Sequence, residues 1–134
     1  MLKPRPWWLF FIPGDAWVTL APYIYHPKTV VPEARPQVIA HENEHLDQQE
    51  KLGVKTWVWR YSTSRSFRLD QEARGVAREI LFLEDHGLSV QAITVRMTEA
   101  KDLASGAYLW AASSPEVAER EIRKYEALFS NDYQ

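Results

Sequence analysis

The spacing of apolar residues changes character along the chain. From about residue 69 to 86, Leu69, Ala73, Val76, Ala77, Ile80, Leu81 and Leu83 recur at helical spacing, and Gly87 supplies a stop. Ser89 can cap a further helix through Val90, Ile93, Val95, Met97 and Leu103, with Gly106 ending it. Ser114-Pro115-Glu116 opens a last helix to about Phe129: a capping serine, a proline at the first helical position and an acid in the first turn. Further upstream, Pro36 and Gly53 bracket a helix over about 36–52. Its predicted buried face carries Val38, His41, Glu42, His45, Leu46, Gln49 and Leu52. Val54 to Tyr61 alternates weakly and fits a helical turn or a strand equally well, and Ser62 to Ser66 reads as a polar loop.

Residues 1–35 follow a different pattern. Trp7-Trp8-Leu9-Phe10-Phe11-Ile12 is an aromatic run that stops at Pro13-Gly14-Asp15, and residues 16–20 and 23–26 are β-rich on either side of Pro22. Two or three short antiparallel strands are expected there, followed by an irregular connection from Pro27 to Pro36. The expected fold class is α+β: one domain over 1–134, mostly helical, with a small N-terminal antiparallel sheet.

The predicted helix over 36–52 buries unusual side chains. His41-Glu42-Asn43-Glu44-His45 is an H-E-x-x-H run, which places two imidazoles one helical turn apart on one side. Both can point at one metal ion, and Glu42 can reach a water on its open side, the arrangement of zinc-activated hydrolysis. Two histidines and a carboxylate on a buried face are costly unless satisfied, and a Zn2+ ion would satisfy all three. The bland alternative is a solvated, charge-rich helix with incidental histidines.

A catalytic zinc takes three protein ligands and keeps one open position. Residue 51, where a histidine-terminated extension of the motif would continue, is Lys51, so the third ligand should be an acid from a later helix: Asp70, Glu72, Glu79, Glu84 or Asp85. Glu72 is preferred, because Ala73 and Gly75 beside it would let its helix approach the metal helix closely; Glu79 is next. Otherwise Glu72 is an ordinary first-turn acid favoured by the helix dipole.

Composition narrows these readings. The chain has 134 residues, which suits one hydrophobic core, and no cysteine, which excludes disulfides, thiolate metal sites and a cysteine nucleophile. A net charge of −2 with mixed signs points to neither nucleic acid nor an anionic membrane. The apolar run at 7–12 is too short to span a bilayer and shows no cleavage signal, so a cytoplasmic location, or a virion if the chain is phage-encoded, is expected. Six tryptophans and six tyrosines are expected mainly to fill the core, with an N-terminal aromatic patch for a protein partner as the alternative.

His41-Glu42-x-x-His45 followed by a glutamate on the next long helix resembles the gluzincin class of zinc metallopeptidases. The wider run is similar to small phage- and prophage-encoded proteins bearing a metallopeptidase motif, through His45-x-x-Gln48, Leu52-Gly53, Trp57, Tyr61 and Gln71-Glu72-Ala73; the likeness covers about residues 38–80. It implies a zincin-like domain, zinc held by His41, His45 and Glu72, Glu42 as general base, and a peptide or protein substrate. The oxyanion of such a reaction needs a further donor. Tyr61, Arg60, Tyr108, His86 and His26 are candidates that spacing does not separate, and Tyr61 is carried forward as the transition-state stabiliser. An edge strand within 16–26 could take an extended peptide by β-addition. Two other readings share these residues: a non-enzymatic phage virion or assembly protein with a structural or vestigial zinc site, and an amidase acting on cell-wall peptide bonds.

Overall fold

The computed structural model describes residues 1–131, so the last three residues of the expected domain lie outside the described part. Strand β1 (Leu2–Pro4) is followed by a 3-10 turn at Trp7–Leu9, then β2 (Val18–Leu20) and β3 (Tyr23–His26). Five helices follow: α1 (Pro36–Leu52), α2 (Val54–Thr63), α3 (Arg65–Asp85), α4 (Ser89–Leu103) and α5 (Pro115–Asn131). The fold is α+β, mostly helical, with a small N-terminal sheet. No helix among the described residues is long and apolar enough to cross a membrane.

The sheet is mixed rather than antiparallel. Its order is β1-β3-β2; β2 pairs antiparallel with β3, as expected, but β1 pairs with β3 in parallel, Leu2 opposite Ile24. The aromatic run is no strand. Prolines 6 and 13 bracket it, and the Arg5 guanidinium collects the carbonyl oxygens of Leu9, Ile12, Ala16 and Pro13, which curls the run into a turn.

Helix boundaries follow local capping chemistry. The polar run 62–66 shrinks to a break at Ser64, whose hydroxyl accepts from the Phe67 N–H, so α3 starts at Arg65 rather than near 69. Glu72 therefore sits two turns inside α3, not in its first turn, and the dipole explanation for it lapses. Val54–Tyr61 resolves as helix. Gly53 and Gly87 follow α1 and α3 with φ of 90° and 73°, where a side chain would be strained. Ser114 caps α5 as expected, whereas α4 is preceded by Leu88 without a side-chain cap.

The core lies where α3, α4 and α5 meet. Ala73, Val76, Ala77, Ile80 and Leu83 of α3 pack with Ala92, Ala100 and Leu103 of α4 and with Ala118, Ile122, Tyr125 and Phe129 of α5. This core is built largely of small and aliphatic residues, not of large rings: Trp57 is buried, but Trp7, Trp8, Trp59 and Trp110 are exposed. On α4 the buried positions are Ala92, Arg96, Ala100 and Leu103, while the expected Val90, Ile93 and Met97 face out. Arg96 is held there by ion pairs to Glu84 and Glu126.

Candidate metal centre

Helix α1 meets α3 through polar side chains. His41, Glu42, Glu44, His45, Gln48 and Gln49 are the buried residues of α1, whereas Val38, Leu46 and Leu52, expected on that face, are only half-buried. The helices come close because Gly75 of α3 lies under the His41 ring: a Cβ there would stand 2.7 Å from both Cδ2 and Nε2 of His41. The sequence pointed to this close approach through Ala73 and Gly75; Gly75 lies at the contact, whereas buried Ala73 belongs to the apolar core.

His41, His45 and Glu72 each offer a ligand atom within 4.8 Å of one another, so the three could hold one metal ion. His41 Nε2 lies 3.2 Å from Glu72 Oε2, and His45 Nε2 lies 3.1 Å from Glu72 Oε1. The far side of each ring also meets an oxygen. His41 Nδ1 is 3.5 Å from Glu79 Oε2, and His45 Nδ1 is 2.9 Å from Gln48 Oε1. The Gln48 amide is oriented by its other contacts: its nitrogen donates to the Gln71 carbonyl, and its oxygen accepts from the Trp57 indole.

That pattern constrains charge. Two neutral imidazoles carry two N–H groups, yet four ring nitrogens face acceptors. The cluster needs either two extra protons or a cation between the Nε2 atoms and Glu72. Burial disfavours charge on His41, but its bonds to Glu72 and Glu79 outweigh that and raise its pKa well above 6.5. Burial likewise opposes charge on His45, and the Glu72 carboxylate again prevails and raises it. Burial alone would raise Glu72; the two imidazoles, His45 foremost, hold it well below the usual carboxylate range instead. With both Nδ1 atoms committed to oxygen acceptors, the Nε2 lone pairs are left for a metal, and the donor set of two imidazoles and a carboxylate suits zinc among other ions.

Glu42 stands apart from the histidines. Its Oε2 accepts the Thr19 hydroxyl at 2.6 Å, which ties the α1 carboxylate to β2. Among the described residues Oε1 makes no hydrogen bond, and no fully buried side-chain oxygen lacks a partner, so Oε1 keeps access to solvent. Beside it Gln49 accepts from the Ala21 N–H at 2.7 Å and donates to the Thr19 carbonyl at 2.8 Å. These bonds occupy the outer edge of β2 where peptide addition was expected, so that edge is closed from Thr19 to Ala21.

Two tyrosines flank the cluster. The Tyr61 hydroxyl donates to Glu72 Oε1 at 2.9 Å, so Tyr61 buttresses a ligand carboxylate. Tyr108 donates to Glu99 Oε2 at 3.2 Å. Burial raises the Tyr108 pKa well above its usual value, and the charges of Glu72, Glu99 and Glu42 add to that. Burial also pushes Glu99 up to about 7. One arginine sets both tyrosines: buried Arg68 donates to the carbonyls of Tyr61, Tyr108 and Leu109. Tyr108 precedes Leu109 and Trp110, two residues in left-handed conformation with φ of 53° and 50°.

The remaining candidates lie elsewhere. Asp70 bonds Arg74 and Tyr125, Glu84 faces Arg96, and Asp85 is exposed. Arg60 stacks over Phe67, His86 bonds the Phe82 carbonyl, and half-buried His26 bonds the Pro27 carbonyl beside Trp17. Two surface depressions of about 460 and 700 Å³ are lined by other residues and reach none of His41, Glu42, His45 or Glu72. Thr19, Arg68 and Glu99 were not expected from the sequence, and Gln48 and Gln49 were expected only as part of the wider run and of the buried face, not as partners of His45 and β2. Only Gln48 and Gln49 had a local signal, their place one turn beyond His45. No protein-family model matches the chain, and comparison with curated proteins and with solved structures finds no match to it either.

Proposed function

We propose that the chain is a zinc-dependent hydrolase of peptide bonds, acting in the cytoplasm, with the ion held by His41, His45 and Glu72. The observation that carries this reading is Glu42: beside the first histidine of the H-E-x-x-H run, its Oε2 is held by the Thr19 hydroxyl while its Oε1 makes no hydrogen bond among the described residues. Zinc in such a site would supply a Lewis acid and lower the pKa of its water towards neutrality. Glu42 Oε1 then takes the proton of the attacking water and delivers it to the leaving amine, while Thr19 fixes the carboxylate's orientation. Gln48 and Glu79 hold the two imidazoles with their Nε2 atoms turned inward. The hydroxyls of Tyr61 and Tyr108 flank the site, each donating to a carboxylate, Glu72 and Glu99, and either would have to leave that acceptor to serve the developing oxyanion. The His-Glu-x-x-His run with Glu72 on a later helix supports a gluzincin-like assignment.

A second reading has an observation of its own. All three ligands are buried, and neither of the two surface depressions described above reaches them, which suits an ion that pins α1 to α3 in a virion or assembly component. Glu42→Gln separates the two. If the site is catalytic, the variant retains one equivalent of zinc by elemental analysis, and cleavage of a peptide library falls about 10²–10⁴-fold. Zinc-replete wild type that cleaves neither that library nor peptidoglycan stem peptides would establish the structural reading; cleavage of the stem peptides alone would make it a cell-wall amidase.

A further inference from the structure

The aromatic turn at residues 7–12 is built rather than left over. Trp7, Phe10 and Phe11 are 80, 81 and 69 % exposed, while Leu9 between them is buried and roots the turn. Buried Arg5 lies beneath it, and its guanidinium gathers four carbonyl oxygens. The amides of Leu9, Phe10, Ile12 and Ala16 donate back to Pro6, Trp7, Leu9 and Pro13. The turn thus projects apolar rings outward while half of the backbone polar groups of residues 7–12 are bonded within it, which lowers the cost of seating it at the wet boundary of an apolar medium.

We propose that this turn is a membrane-interface finger that seats its rings in an anionic bilayer. Three features favour lipid over a protein groove. The rings do not lie in one plane: Phe10 and Phe11 meet edge to face at 6.0 Å, and Trp8 turns back onto Tyr25, so they make a projection rather than a flat patch. Tryptophan and phenylalanine on a short uncharged projection are the residues that partition into the headgroup boundary. Charge is also uneven. The whole chain carries −2, yet residues 1–32 hold Lys3, Arg5 and Lys28 against one acid, Asp15. Among the described residues Arg5 pairs with no carboxylate and bonds only carbonyl oxygens of the turn, so its positive charge adds to those of Lys3 and Lys28 in complementing an anionic surface.

Vesicle sedimentation of the full chain tests this, using phosphatidylcholine vesicles with and without about one-third phosphatidylglycerol. Wild type should bind the mixed vesicles more tightly than the neutral ones. The W7S/F10S/F11S variant, altered only at exposed positions, should keep the wild-type thermal midpoint and bind at least about tenfold more weakly. Trp59→Ser, at an exposed tryptophan on α2, should bind like wild type. The proposal is overturned if wild type sediments with neither vesicle, if the triple variant binds unchanged, or if Trp59→Ser loses as much. It is equally overturned if the triple change instead abolishes a concentration-dependent dimer that lipid does not dissociate, which would make the turn a contact between copies.

Discussion

Helix α3 presents two opposed faces built on different principles. Towards α4 and α5 it buries Ala73, Val76, Ala77, Ile80 and Leu83 in an apolar core. Towards α1 it buries Glu72 and Glu79 against His41 and His45, and Arg78 reaches Glu44 at 3.2 Å. The first face stabilises by removing apolar surface from water, at about 25 cal/mol per Å². The second must desolvate charges whose mutual attraction about offsets that cost, so replacing such a network with well-packed apolar residues is often neutral or stabilising. A chain that needed only to fold would have little use for the second face. The contrast sets apart a face that stabilises the fold from one whose groups could hold an ion.

Adjacent residues divide between the faces, which gives the sharpest way to break the comparison. Ile80, fully buried on the apolar side, should on truncation to alanine cost about 3 kcal/mol of unfolding free energy, read by denaturant titration. Its zinc stoichiometry in the folded protein should not change. Glu79→Gln, one position away, should alter stability by less than about 1 kcal/mol but weaken zinc binding about 10–100-fold, because the glutamate orients the His41 ring. Calorimetric zinc titration of both variants settles it: equal losses of affinity would mean that the two faces are one cooperative unit.

A smaller effect is expected at Gly75, where helix propensity and packing pull in opposite directions. In an isolated helix Gly→Ala gains up to about 1 kcal/mol. Here the added methyl meets His41 at 2.7 Å, and that ring is held between Glu72 and Glu79 and cannot give way. Overpacking of this kind costs about 1–3 kcal/mol, so Gly75→Ala should lower the thermal midpoint and weaken zinc binding together. A raised midpoint would show that the polar face is loosely packed, and that the comparison with the core has been drawn too sharply.

The two faces were not equally legible in the sequence. The α3 core periodicity and the His41–His45 pairing are local, fixed by helical geometry over a few residues, and Glu72 was reached by combining them with the small residues Ala73 and Gly75. What was missed depends on contacts distant in the chain. Thr19 meets Glu42 only because β2 folds back onto α1, and Arg68 joins Tyr61 to Tyr108 across 40 residues in the chain. Trp7 to Ile12 lay in a region expected to hold two or three strands, and β propensity in an aromatic run says nothing of a buried arginine that collects its carbonyls into a turn. The tryptophans were expected in the core, but alanines on α3, α4 and α5 bring these helices close, and the large rings buried among them are Tyr125 and Phe129 of α5.

The finest test of the contrast is pH, since the polar face of α3 carries titratable side chains and its apolar face carries none. Without metal, His41 and His45 have folded pKa values above their ordinary 6.5, so their contribution to stability is fully present below pH 6.5 and is lost as pH rises through the folded values. Glu72 shifts the other way from its ordinary 4.5, so its contribution is present above pH 4.5 and is lost as pH falls. The metal-free cluster therefore stabilises most between about pH 4.5 and 6.5. Zinc requires both rings neutral and competes with the same protons, so the stabilisation it adds must grow as pH rises above the imidazole values. Thermal midpoints with and without a fixed excess of zinc should coincide near pH 5.5 and separate progressively towards pH 8. Ile80→Ala should shift both curves down without changing the gap between them, because no proton or metal equilibrium runs through the apolar face. A gap independent of pH would mean that zinc binds somewhere other than between these two imidazoles.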